Sequence, residues 1–126
     1  MIQRALLFLM VVLGAAIPLR AAGNVEEVDA FHRILHPLVH DAYPAHDFGA
    51  IRDRLPKLLE AAEVMRGARL PGELSGKQHA YRKLTGKLYN QLKSLEKRKN
   101  RLKDEKFGVL FMEMHDTFEK INDLVK

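Results

Sequence analysis

The chain has 126 residues, a formal net charge of +5, and neither cysteine nor tryptophan. That length fits one domain. The lack of cysteine excludes disulfides, thiolate zinc sites, iron–sulfur clusters and covalently attached c-type haem, so stability has to come from packing.

Residues 1–22 have the layout of a secretory signal peptide. Arg4 charges the start, Ala5 to Ile17 is an apolar run of 13 residues, and Pro18 breaks it. Small residues follow, with cleavage expected after Ala21 or Ala22. The run is shorter than the roughly 20 residues of a spanning helix. No cysteine follows it, which excludes a lipid-modified N-terminus. The expectation is a signal peptide at 1–22 and one mature domain at 23–126, periplasmic or secreted, with no membrane span in the mature chain.

Helix one is expected from Val25 to Tyr43. Asn24 suits its N-cap, and Glu26, Glu27 and Asp29 lie in the first turn, where the helix dipole favours acids. Val28, Phe31, Leu35, Leu38, Val39 and Ala42 recur on one face. Pro37 inside the pattern predicts a kink or a local opening, and Tyr43-Pro44 ends it.

Asp47 is placed to cap helix two, from about Phe48 to Arg66, whose apolar face is Phe48, Ile51, Leu55, Leu58, Leu59, Ala62 and Met65. Pro56 predicts a bend or a split there. Gly67 to Gly76 is rich in turn formers. Helix three is expected from about Lys77 to Asn100, with Tyr81, Leu84, Leu88, Leu92 and Leu95 on its core face. Helix four is expected from Asp104 or Glu105 to Val125, with Phe107, Phe111, Met114, Phe118 and Ile121 inward. No segment alternates with the period of a strand. These elements predict an all-α fold, an antiparallel up-down-up-down four-helix bundle.

Charge is uneven along this order. Between Lys77 and Lys106 stand eleven basic residues against three acidic ones. Such a stripe on helix three suits a solvated face, an anionic surface or a partner protein. The chain is read as exported, so nucleic acid is not expected.

The strongest chemical signal is His32, His36 and His40, spaced four apart in helix one. Imidazole is the commonest metal-binding side chain, and that spacing stacks residues along one helix face. At about 100° per residue from Phe31, His32 lies near 100°, His36 near 140° and His40 near 180°, so the stripe winds outward from the core edge. His115 lies at the core edge of helix four, on the same side as Glu119. In an antiparallel pairing whose facing positions sum to about 150, His115 is level with residue 35, between His32 and His36. Three imidazoles with an open or carboxylate position suit zinc, copper or iron, with zinc or copper favoured. The expected metal ligands are His32, His36, His40 and His115, with Glu119 and Asp47 as further ligands or orienting partners. His46 and His79 read as loop and surface residues, and Met65 and Met114 as core fillers.

The whole mature chain resembles the cytochrome b562-like bundles: exported, similar in size, four-helical, without cysteine, and with a histidine on the last helix. That family holds haem non-covalently between a Met on helix one and a His on helix four. The resemblance implies His115 as the last-helix ligand. Helix one offers His32, His36 and His40 but no Met, so the implied haem ligation is bis-His. The HxxxHxxxH run followed by Tyr-Pro and Asp also resembles small exported His-rich bacterial bundle proteins.

No catalytic motif is present, and the chain is read as not an enzyme. The leading expectation is an exported metal-binding protein for storage, buffering or sensing. The alternatives are a haem-binding electron carrier and an interaction protein using the basic face of helix three.

Overall fold

Apolar residues at helical spacing place four α-helices almost where the sequence predicts them. In the computed structural model, which describes residues 25–126, these are α1 (Glu26–Pro37), α2 (Phe48–Arg66), α3 (Gln78–Arg98) and α4 (Asp104–Leu124). Among the described residues there is no strand, and no helix is long and apolar enough to cross a membrane. The expected signal peptide and the Asn24 cap lie outside the described residues. Val25 occupies the N-cap position of α1 and makes no side-chain cap bond.

The core is one cluster drawn from all four helices. Phe31 and Leu35 of α1, Ile51, Leu55 and Leu58 of α2, Tyr81, Leu88 and Leu92 of α3, and Phe107, Phe111 and Phe118 of α4 are buried. Met65 and Met114 are fully buried among them, as expected of gap-filling side chains. Successive helices pack directly, α2 on α3 and α3 on α4 most extensively. The α1 and α4 backbones make few close approaches. Large rings span that gap, with Phe31 and Phe118 centroids 5.0 Å apart and Tyr43 and Phe111 centroids 6.2 Å apart.

A helix leaves its last carbonyls without partners, and here side chains from neighbouring elements supply three of the caps. Tyr81 Oη donates to Met65 O at the end of α2, 2.6 Å away. Arg52 of α2 donates to Lys99 O at 2.9 Å and to Leu102 O at 3.0 Å, closing the end of α3. Its guanidinium also pairs with Asp104 Oδ1 at 2.8 Å and lies over the Phe107 ring. Lys77 Nζ, from the short 3-10 turn Gly72–Lys77, donates to Leu124 O at the end of α4.

The two internal prolines behave differently. Pro56 does not split α2, which is continuous from Phe48 to Arg66. Its ring is exposed, as is that of Pro37, so exposure does not set the two apart. Pro37 does open the chain, and residues Leu38–Ala42 form a π turn. Tyr43 N donates to Leu38 O and Asp47 N to Ala42 O, both at 2.9 Å and both spanning five residues. Proline has no N–H to give to the preceding turn, and a one-residue widening is a known way to absorb that loss.

Candidate functional site

All three histidines of the stripe in and just after α1 are exposed. Their rings do not repeat evenly. His32 and His36 stand 5.6 Å apart in an edge-on arrangement, whereas His36 and His40 close to 4.0 Å with planes at 40°. The π turn accounts for the difference. In a regular α-helix residues four apart are offset by about 40°. An extra residue per turn reduces that offset, so His40 is brought back over His36 instead of drifting away. Pro37 lies between the two and is the sequence feature that starts the widening.

His32 also borders the α4 side, with its ring 5.6 Å from Phe118. Phe118 is the residue that the expected register sets level with His32. His115, one turn earlier on α4, is half-buried with 19% of its side chain exposed. Its Nε2 is 3.2 Å from Glu119 Oε1, an i,i+4 contact within α4. Its Nδ1 is buried without a hydrogen-bond partner. Asp116 Oδ1, at 3.8 Å, is too distant to serve as one.

The expected ligands therefore fall into three groups. His36 and His40 are together at the surface, His32 packs at the seam against Phe118, and His115 turns to Glu119. Among the described residues, no group of three or more His, Cys, Asp or Glu is placed to hold a metal ion, so the four histidines are not assembled as one centre. Asp47 is engaged elsewhere, since its Oδ1 accepts from Ala50 N at 3.1 Å as the N-cap of α2. His46 sits in the turn before it with φ 57°, and His79 is exposed, so both remain outside the ladder.

Two features go beyond the sequence reading: the effect on His40 of the opening expected at Pro37, and a hollow beside the basic stripe. The π turn is signalled only by Pro37, whose effect on His40 depends on how the following backbone rebonds. The second is the crevice between α3 and α4, where polar Asn90, Gln91 and Ser94 meet Lys87 and Arg98 around a concavity of about 450 Å³. The sequence shows the basic stripe but not that part of it borders a hollow.

Comparison with protein-family models, with curated proteins and with solved structures gives no match.

Proposed function

We propose that the protein is an exported, non-enzymatic binder of a transition-metal ion, zinc or copper, which it stores, buffers or senses at the histidine ladder of α1. The observation that carries this reading is the exposed His36–His40 pair, with ring centroids 4.0 Å apart across the π turn. At metal–nitrogen bonds of 2.0–2.1 Å, a tetrahedral ion needs its nitrogens about 3.3 Å apart, a spacing within reach of these rings by side-chain rotation. A second exposed pair, His32–His36, shares one ligand with the first. Two protein nitrogens leave the remaining positions to water or to a donor on another molecule. Such a site exchanges its ion readily, which suits buffering or transfer better than a permanent structural role.

Export is the reading of residues 1–22. The arrangement proposed for the four helices is the antiparallel up-down-up-down bundle. It is supported by the pairing of Phe31 with Phe118 and of Tyr43, just past the π turn, with Phe111, in which the numbers rise along the first segment as the α4 numbers fall. A metal ion is favoured over haem. Phe31 and Phe118 fill the interior between α1 and α4, where a bis-His haem would lie.

Titration of untagged protein with zinc and with copper tests the reading. His36→Ala and His40→Ala should each weaken binding at least tenfold, and His115→Ala less than twofold. Imidazole ligates only as the neutral base, so affinity should fall on acidification. Unchanged affinity in the His36→Ala/His40→Ala double variant would contradict the proposal.

A further inference from the structure

Lys93, Lys97 and Arg101 follow one another at intervals of four residues along the last turns of α3 and just beyond it, with Arg98 beside them. With Asn90 and Ser94 these four cations line a concavity of about 460 Å³, and no acidic side chain borders it. It adjoins the α3–α4 crevice, with which it shares Asn90, Ser94 and Arg98.

None of the four cations is neutralised by an ion pair among the described residues. Among the described residues, the Lys and Arg ion pairs engage Arg33, Arg52, Lys99 and Lys126. The hydrogen bond from Arg98 goes to neutral Ser94 Oγ at 3.3 Å, and Lys93 lies near the Tyr89 ring, 5.8 Å from its centroid. Cations near a helix C-terminus are favoured by the dipole and commonly bond its last carbonyls. Here Arg52 already donates to Lys99 O and Leu102 O. Like charges four apart on one helix repel, so the cluster raises the energy of the free protein, and an anion would relieve it.

We propose that this concavity binds a soluble anion carrying two or more phosphate groups. Arg98 presents a planar fork of donors that matches phosphate oxygens, and the lysines add mobile point charges. Asn90 and Ser94 supply neutral donors at the same rim. Four cations within two turns match several negative charges better than one. The exposed large apolar side chains, Val64 at 58% and Val109 at 49%, both lie outside the concavity. Among the described residues no apolar anchor therefore accompanies the charge, which favours a dissolved ligand over a lipid headgroup in a bilayer.

Calorimetric titration of the chain with tripolyphosphate, at about 20 mM and about 150 mM salt, tests this. The expected result is one binding site, weakened by salt because exposed charges are screened. Lys97→Ala/Arg101→Ala should lose at least tenfold in affinity. Arg54→Ala/Lys57→Ala, which removes equal charge beside the α1–α2 groove, should lose less than twofold. Vesicles containing phosphoinositide should bind no more tightly than tripolyphosphate. Absence of tripolyphosphate binding at low salt, equal losses in the two double variants, or binding confined to the vesicles would each overturn the proposal.

Discussion

Tyr81 shows how one residue serves two helices. It is fully buried in α3 and donates to Met65 O at the end of α2. Burial pushes its phenol well above the ordinary value of 10.0, and the Glu27 carboxylate adds to the push. The folded state therefore holds the Tyr81 proton where the unfolded chain releases it. Above about pH 10 the unfolded state binds fewer protons, so the contribution of this residue falls as pH rises. Tyr81→Phe should cost about 1 kcal/mol at pH 7 through the lost hydrogen bond. The same variant should lose stability less steeply than the parent between pH 10 and 11. Urea unfolding at pH 7, pH 10 and pH 11 measures both effects. Tyr89 keeps some alkaline sensitivity in the variant, because its hydrogen bond to Glu63 also raises its phenol. The basis of the Tyr81 effect was only half legible beforehand. The sequence places Tyr81 on the core face of helix three, but only the fold reveals that its hydroxyl reaches the carboxyl end of helix two.

Within single elements, two glycines make opposite predictions from the same substitution. Gly86 lies inside α3, and a Cβ there would meet nothing within 4 Å. Gly86→Ala should stabilise the protein by about 0.8–1 kcal/mol through helix propensity alone. Gly108 lies in α4, and a Cβ there would come within 3.0 Å of Phe48 Cε1 and 3.4 Å of Tyr43 Cε1. The same propensity gain is then opposed by overpacking of about 1–3 kcal/mol, so Gly108→Ala should destabilise by about 1 kcal/mol. Thermal unfolding of the two variants checks the signs. Nothing in the sequence tells Gly108 apart from Gly86, because a close approach between α4 and the start of α2 is not a periodic signal. The prolines teach a related lesson. Pro37 and Pro56 look alike in sequence, yet α2 runs unbroken through the exposed Pro56, while the chain after Pro37 rebonds as a π turn.

At the scale of the whole molecule, periodicity made the four helices legible to within one or two residues at most ends, because each needs a buried stripe. The histidine chemistry was less legible. The spacing of His32, His36 and His40 identifies a shared face, but it gives no ring directions. Phe118 takes up the approach to His32, Glu119 takes up His115, and the π turn sets His40 against His36. The proposed metal site therefore lies at the surface along the α1 segment, not between two helices in the interior. The most direct test is the imidazole NMR spectrum during a titration with zinc. The side-chain signals of His36 and His40 are expected to shift first and together, while those of His115 stay in place. Shifts led by His115, or equal shifts of all six histidines, would contradict the proposed site.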